Sequence, residues 1–297
     1  MHTISIHQPT MRGSFQVKRA YPLLSVCFTM IVLSVLSHGT LAQAVHTLPI
    51  KGLNGPNGFA LAKTGALYVA NEPGKQVLRI INDSIVERVL ECDSPCGLDF
   101  DNDNNLYIIN FFSGVVLRKS KNSVDTFATG LDQPADIKWD GKQNFYVSEY
   151  EKGTIKKISM KGELTLVISG LKKPFGLTFD NDGNLYVASN ATGEIDKIDT
   201  DGKLHFFAQI PGAASYIGID KNSGKLYAPC FTCHKIFVID KNGKTEVLTG
   251  NDAGYKDGSV TEAQFHGPNS IVISANGDIY ISEFEANRIR KITGIKN

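Results

Sequence analysis

A repeat of about forty residues, running from Pro56 towards the C-terminus, constrains the fold more than any other feature. Its tyrosines fall at positions 68, 107, 146, 186, 227 and 280, spaced by 39 to 41 residues except for a last interval of 53. Five of the six units open on a proline, as in PFGLTFDNDGNLYVAS from Pro174. Self-similarity at a fixed period of this length is typical of repeat architectures.

Each unit predicts four short antiparallel strands. Apolar alternation follows the proline, an Asn/Asp/Gly turn comes next, and a second strand contains the tyrosine. Four strands repeated six times predict an all-β fold, a six-bladed β-propeller. A parallel solenoid, whose repeats are shorter, is the less favoured alternative. The units lie near residues 56–91, 95–129, 134–169, 174–209, 214–249 and 268–294, and residues 45–50 are predicted to close the last blade as its outer strand.

The first 44 residues contain no Asp or Glu and predict a cleaved signal peptide. Lys18 and Arg19 precede an apolar run over residues 21–36, and Ala42-Gln43-Ala44 has the pattern of a cleavage site. The run is shorter than the ~20 residues of a membrane span, which favours cleavage after Ala44 over an uncleaved anchor. We therefore expect a secreted or periplasmic protein with one domain over residues 45–297 and no membrane span in the mature chain.

The charge balance excludes some partners. Loss of Arg12, Lys18 and Arg19 reduces the 31 basic residues to 28, against 30 acidic residues. A nearly neutral chain without a basic run gives no indication of nucleic-acid binding. We expect a monomer whose partner is a small molecule or a protein.

The 53-residue interval contains an insertion with a specific pattern. It combines Asp257-Gly258, Phe265 and Pro268 with the later segment NRIRKI from Asn287. This pattern resembles the NHL repeat, and weaker matches cover all six units. The resemblance implies a six-bladed propeller related to the gluconolactonase and senescence-marker-protein group and to the streptogramin lyases. It does not fix an activity, because one fold hosts many functions.

Two rings of side chains predict a binding site at one mouth of the central channel. The first ring follows the prolines and contains Asn57, Cys96, Ala135 with Asp136, Phe175, Tyr216 and Asn269. The second ring follows the tyrosines and contains Asn71, Asn110, Glu149, Ser189 with Asn190, Cys230 and Glu283. His234 and His266 should lie on the same face in adjacent blades, where they could share a ligand. The alternatives are turn-capping roles for the strand-end carboxylates and two exposed loop histidines.

The resemblance to gluconolactonases implies one divalent cation, calcium or a similar ion, held by oxygen ligands. Asn57, Asp136 and Asn269 are the candidate ligands in this chain, whereas Asn54 stands where the family has an acid. Cys96 and Phe175 do not fit that ligand pattern. The favoured hypothesis is therefore a ligand-binding propeller that is non-catalytic or of diverged activity. The alternative is a metal-dependent hydrolase of the lactonase or esterase type.

Residues Cys230-Phe231-Thr232-Cys233-His234 have the C-x-x-C-H pattern of c-type haem attachment. The repeat register places this segment in a tight hairpin, where a haem has little to be buried in, so a haem protein is a weaker alternative. Two local disulfides, Cys92–Cys96 and Cys230–Cys233, are the simplest pairing in an oxidising compartment.

Overall fold

The computed structural model describes residues 43–293, and all regular secondary structure within them is β. The predicted signal peptide, apart from Gln43 and Ala44, lies outside these described residues. Over residues 43–293 no helix is long and apolar enough to cross a membrane.

Twenty-five strands form six antiparallel sheets, which are the six predicted blades. The N-terminal strand is β1 (Ala44–Thr47). Blade one contains β2 (Pro56–Leu61), β3 (Leu67–Asn71), β4 (Gln76–Ile81) and β5 (Ile85–Glu91), and blade two contains β6 (Pro95–Phe100), β7 (Leu106–Asn110), β8 (Val115–Lys119) and β9 (Val124–Ala128). Blade three contains β10 (Pro134–Trp139), β11 (Asn144–Glu149), β12 (Thr154–Ser159) and β13 (Leu164–Ser169), and blade four contains β14 (Pro174–Phe179), β15 (Leu185–Ser189), β16 (Glu194–Ile198) and β17 (Leu204–Gln209). Blade five contains β18 (Gly218–Ile219), β19 (Leu226–Cys230), β20 (Lys235–Ile239) and β21 (Thr245–Thr249).

Blade six combines both ends of the described chain. Its strands are β23 (Pro268–Ile273), β24 (Ile279–Glu283) and β25 (Arg288–Thr293), with β1 antiparallel to β25 on the outer side. The two-residue strand β22 (Gly258–Ser259), from the insertion before this blade, pairs with the free edge of β1. The sheet order is therefore β22-β1-β25-β24-β23.

The first strands of the blades surround the central axis. Strands β2, β6, β10, β14, β18 and β23 contact one another in succession, and β23 contacts β2. Because these strands begin at the prolines, we call the end of the axis where they start the proline face. They end at the Asn/Asp/Gly turns on the opposite end, which we call the hairpin face. The fourth strands lie outermost and expose apolar side chains such as Phe206.

The core lies between neighbouring blades. Between blades one and two, Val77 of β4 packs with Leu98 of β6 and Ile108 of β7, and all three are inaccessible to solvent. The alternation of side chains along a strand supplies both faces of each sheet with apolar groups.

Two glycines allow the inner strands to approach closely at the axis. A Cβ at Gly97 would lie 2.5 Å from the Cα of Asp136 in the next blade, and a Cβ at Gly176 would lie 2.5 Å from the Cα of Tyr216. Any side chain at these positions would push neighbouring blades apart. The Pro-x-Gly sequence at the start of β6 and β14 therefore sets the narrow diameter of the channel.

Candidate ligand-binding site at the central channel

The ring that follows the prolines closes the channel near the proline face. The side-chain amide of Asn269 donates to Asn57 Oδ1 at 3.0 Å, and Asn57 Nδ2 lies 3.5 Å from Cys96 Sγ. Cys96 Sγ lies 3.2 Å from the Tyr216 hydroxyl, and Phe175 packs edge-on against the Tyr216 ring at 5.1 Å. These five side chains come from five blades and meet at the axis. We call them the axial plug.

Asp136, from the remaining blade, is fully buried and has its carboxylate fully engaged. Its Oδ1 accepts from the Lys138 ammonium at 2.9 Å and from the Ile137 N–H, and its Oδ2 accepts from the Leu177 N–H at 2.9 Å. Burial raises the pKa of Asp136, and the charge of Lys138 opposes that increase. The carboxylate thus links blades three and four.

Asn57, Asp136 and Asn269 do not fit a divalent cation in this arrangement. The ammonium of Lys138 lies 2.9 Å from the one carboxylate of the set and would repel a cation there. Asn57 Oδ1 already accepts a hydrogen bond from Asn269.

The ring at the strand ends turns towards the loops instead of towards the axis. Three of its members accept the backbone N–H of the residue 17 positions earlier: Asn71 from Asn54 at 2.7 Å, Glu149 from Asp132 at 2.8 Å and Glu283 from His266 at 2.5 Å. The other three contact the same loop: Asn110 Oδ1 accepts from the Ser94 hydroxyl at 2.6 Å, Ser189 donates to Lys172 O at 2.5 Å, and Cys230 Sγ lies 2.9 Å from Pro211 O. Each strand-end side chain therefore holds the proline-face loop of its own blade, where the backbone groups lack sheet partners.

The carboxylate of Glu149 shows the chemistry of these contacts. Glu149 is inaccessible to solvent and also accepts from the Thr154 hydroxyl at 2.6 Å and the Lys156 ammonium at 3.0 Å. Burial alone would raise the pKa of Glu149, but the hydrogen bonds from Thr154, Lys156 and Asp132 outweigh it and lower the pKa. This carboxylate is charged and satisfied, which suits a structural role.

The residue after each strand end forms the mouth above the plug. These six side chains are all half-buried, and we call them the rim: Glu72, Phe111, Tyr150, Asn190, Phe231 and Phe284. Tyr150 contacts Phe111 at 6.5 Å and packs edge-on against the plug residue Phe175 at 5.8 Å, measured between ring centroids. The Tyr150 hydroxyl donates to Asn190 Oδ1 at 3.3 Å. An aromatic surface therefore leads from the rim to the axis.

Two rim phenylalanines pack on the loops of the next blade. A Cβ at Gly267 would lie 3.1 Å from the Phe231 ring, and a Cβ at Gly55 would lie 3.0 Å from the Phe284 ring. Of the rim, only Asn190 was singled out from the sequence. The recurrence of Phe or Tyr directly after four strand ends is a signal that could have identified the others.

Glu72 is the only acid of the rim. Its charge raises the pKa values of Cys96 and Tyr216 in the plug, which places the carboxylate close to the axis. Burial raises the pKa of Glu72 itself. No side chain among the described residues forms a hydrogen bond or ion pair with this carboxylate. A partly desolvated carboxylate without a partner favours a ligand that brings a hydrogen-bond donor or a positive charge.

His234 and His266 are brought together, as their positions in adjacent blades predicted. Their rings stack with centroids 5.6 Å apart and an interplanar angle of 28°. His234 Nδ1 accepts from the Gly267 N–H at 3.1 Å, and His266 Nε2 lies 3.3 Å from a Glu285 oxygen. These contacts hold the loops of blades five and six side by side at the rim.

One of the two predicted disulfides is present. Cys230 and Cys233 are bonded, so neither sulfur is available for a thioether to haem. The predicted Cys92–Cys96 bridge is wrong, because both residues are free thiols with different surroundings. Cys92 packs into the core between blades one and two, whereas Cys96 belongs to the plug. Burial raises the pKa of Cys92 to about 11 and that of Cys96 to about 12.

Comparison with known sequences gives one short match. No family model matches the chain. NHL repeat-containing protein 2 of Gallus gallus is 35% identical over 77 residues, which are 26% of this chain and 10% of that protein. The matched part is thus a small fraction of the relative's length.

Comparison of folds gives matches over most of the chain. A structural genomics protein of unknown function from Bacteroides thetaiotaomicron matches with a TM-score of 0.75 and 18% identity, over 85% of this chain and 76% of that one. A gluconolactonase from Xanthomonas campestris matches with a TM-score of 0.69 and 17% identity, over 84% of this chain and 89% of that one. A virginiamycin B lyase from Staphylococcus aureus matches with a TM-score of 0.64 and 17% identity, over 84% of this chain and 85% of that one. At these identities the likeness shows the fold, which confirms the predicted six-bladed β-propeller.

Proposed function

We propose that this protein is an exported β-propeller that binds a small organic ligand at the proline-face mouth, without metal-dependent catalysis. The observation that carries the proposal is the combination of the plug with the half-buried rim, in which four side chains are aromatic and the carboxylate of Glu72 has no side-chain partner among the described residues. The plug provides a floor, the rings provide flat apolar surface, and the carboxylate provides one polar anchor. Binding sites for small molecules commonly combine apolar walls with few polar groups.

The chemistry of the rim favours an uncharged or cationic ligand with an apolar ring. Aromatic faces attract cations, and the carboxylate of Glu72 adds to that attraction. An anion would be repelled by Glu72. Export is supported by the signal-peptide pattern of residues 1–44 and by the Cys230–Cys233 disulfide, which suits an oxidising compartment.

Three probes with the same ring but different charges test this proposal: benzyltrimethylammonium, benzyl alcohol and phenylacetate. Saturation-transfer NMR should show the cation binding most tightly and the anion most weakly. Glu72→Gln should remove the preference for the cation, and Tyr150→Ala should weaken the binding of all three probes. Glu91→Gln, at the exposed end of an outer strand, is the matched control and should change nothing. Binding that is the same in wild type, Glu72→Gln and Tyr150→Ala would refute the rim as the site.

The alternative is a metal-dependent lactonase, which the resemblance to gluconolactonases implies, although Lys138 lies against the carboxylate of Asp136, the one acid among the candidate ligands. Metal analysis of the purified protein and hydrolysis of gluconolactone by wild type and Asp136→Asn distinguish the two functions. A stoichiometric divalent cation, together with hydrolysis that Asp136→Asn abolishes, would replace the binding proposal by the hydrolase.

A further inference from the structure

A second cavity lies in the channel on the other side of the plug. It has a volume of about 300 Å³ and is lined by inner-strand residues of all six blades. Its residues occupy the later positions of the inner strands, towards the hairpin face, and Tyr216 separates it from the proline-face mouth. Apolar walls come from residues such as Phe59, Leu61, Ile219 and Ile273. We call this cavity the hairpin-face pocket.

Three charged side chains line the hairpin-face pocket: Asp99, Lys138 and Lys221. Lys138 is already neutralised, because its ammonium lies 2.9 Å from the buried carboxylate of Asp136. The remaining charges are one carboxylate and one ammonium. The net charge that the pocket offers a ligand is therefore close to zero, although both signs are present.

Asp99 and Lys221 keep capacity for further partners. Asp99 Oδ2 accepts from the Trp139 N–H at 2.7 Å, whereas no side chain of the described residues donates to Asp99. Lys221 donates one hydrogen bond to Phe179 O, and an ammonium carries three donors.

Asp99 is half-buried and Lys221 is exposed at the hairpin-face end of the pocket. Burial raises the pKa of Asp99 and lowers that of Lys221. The charge of Lys138 lowers the pKa of Asp99 more than the charge of Lys221 does. Asp180 raises the pKa of Lys221 more than Asp99 does. Asp99 and Lys221 thus lie within electrostatic reach of each other but are not paired.

We propose that the hairpin-face pocket binds a small zwitterion with an apolar side chain, of the α-amino-acid class. Its ammonium binds the carboxylate of Asp99, its carboxylate binds the ammonium of Lys221, and its side chain packs against Phe59, Leu61 and Ile273. A ligand with one charge of either sign satisfies only one of the two groups. A pocket of this volume accommodates a molecule of about ten to fifteen heavy atoms. This site is independent of the proline-face mouth, because the plug lies between them.

Trp139 provides the measurement, since it is the one tryptophan of the chain and lines the hairpin-face pocket. Titration with L-phenylalanine or L-leucine should produce a saturable change in tryptophan emission. Two analogues isolate the charges: 3-phenylpropanoate lacks the ammonium, and 2-phenylethylamine lacks the carboxylate. Each should bind at least about tenfold more weakly than L-phenylalanine, the loss expected for one charge-assisted hydrogen bond.

Two substitutions assign the groups. Asp99→Asn keeps an acceptor for the Trp139 N–H. It should weaken the binding of L-phenylalanine about tenfold and leave the binding of 3-phenylpropanoate unchanged. Lys221→Met should weaken the binding of L-phenylalanine to a similar extent and leave the binding of 2-phenylethylamine unchanged. Lys244→Met, an exposed lysine on the outer side of blade five, is the matched control and should bind like wild type. Thermal unfolding curves that match wild type establish that each variant is folded.

The proposal is overturned by either of two results. One is no saturable change with either amino acid up to about 10 mM. The other is equal binding of L-phenylalanine and both analogues, which would indicate an apolar pocket without charge recognition. Neither result bears on the rim probes, because Glu72→Gln and Tyr150→Ala lie on the other side of the plug.

Discussion

The guanidinium of Arg290 lies 2.7 Å from the carboxylate of Asp257, and this ion pair connects three parts of the last blade. Asp257 also accepts hydrogen bonds at 3.0 Å from the N–H and the hydroxyl of Thr47 in β1. Arg290 donates to the carbonyls of Lys256 and Gln264 in the insertion. The NHL-like insertion therefore holds the N-terminal strand on the blade that contains both ends of the described chain.

Replacement of Arg290 by Met should destabilise the protein strongly. Arg290 is fully buried and also lies 3.4 Å from the buried carboxylate of Glu283, so its loss removes its hydrogen bonds to two backbone carbonyls and one of the two guanidinium contacts of Glu283. We expect a loss of about 3–5 kcal/mol in the free energy of unfolding, measured by urea denaturation. Arg79→Met, which breaks an exposed ion pair with Glu87, should cost at most about 1 kcal/mol. Equal losses in the two variants would contradict the connecting role.

The stability contributed by Glu149 should depend on pH. Its hydrogen bonds lower the pKa in the folded state, so the stabilisation is fully present above the unfolded-state pKa of about 4.3 and is lost as the pH falls through the folded value. Glu149→Gln should therefore cost about 1–3 kcal/mol at neutral pH and progressively less in acid. Urea denaturation at pH 7 and pH 3.5 measures the difference. Glu246→Gln, an exposed acid, serves as the control, and a cost for Glu149→Gln that does not shrink at low pH would exclude the mechanism.

The four cysteines of the described residues should react in two classes. In folded protein at pH 8, Cys92 and Cys96 should resist iodoacetamide, because burial raises the pKa values of both thiols far above that pH. After denaturation without a reductant, peptides with Cys92 and Cys96 should be alkylated and those with Cys230 and Cys233 should not. Peptide mapping by mass spectrometry measures this. A disulfide-linked peptide that contains Cys92 and Cys96 would contradict the assignment of both residues as free thiols.

Gly97→Ala should destabilise the ring of inner strands. The new methyl group would meet the backbone of Asp136 at 2.5 Å, and a backbone atom in a closed ring cannot move aside easily. We expect a cost of about 1–3 kcal/mol from overpacking, measured by thermal or urea unfolding. At Gly254 a Cβ would meet only the flexible side chain of Gln264, so Gly254→Ala is the matched control and should cost less. The reverse order would show that the inner strands are not tightly packed.

The fold could be predicted from the sequence because the repeat fixes almost everything. Period-2 patterning specifies strands, the turn residues separate them, and six equivalent tyrosines count the blades. Most of the plug could be predicted for the same reason, since the residue after the proline reaches the axis in the units that begin at Pro56, Pro95, Pro174 and Pro268. Contacts such as Asn57 with Asn269 then follow from the closure of the ring.

The rim could not be predicted with the same precision, because the period-2 alternation gives the direction of a side chain only within a strand and not in the turn that follows it. Asn71 and Glu149 continue the pleat of their strands and point into the loop of their own blade. The next residue, Glu72 or Tyr150, begins the turn and lies at the mouth. A shift of one position therefore separates a loop-holding residue from a candidate ligand contact. The Cys92–Cys96 pairing failed for a related reason, since spacing alone does not reveal that the two side chains occupy different environments.

The loop-holding contacts at the strand ends have a consequence for how this protein can change. Each blade secures its proline-face loop with its own internal bond, whether the side chain is Asn, Glu, Ser or a disulfide-bonded Cys. Two of these loops have a second contact from the neighbouring blade: Asn287 accepts from the Gly55 N–H, and His234 accepts from the Gly267 N–H. A substitution at a rim position leaves the contact that secures each loop in place, so evolution or an engineer can alter the ligand preference while the propeller keeps its shape.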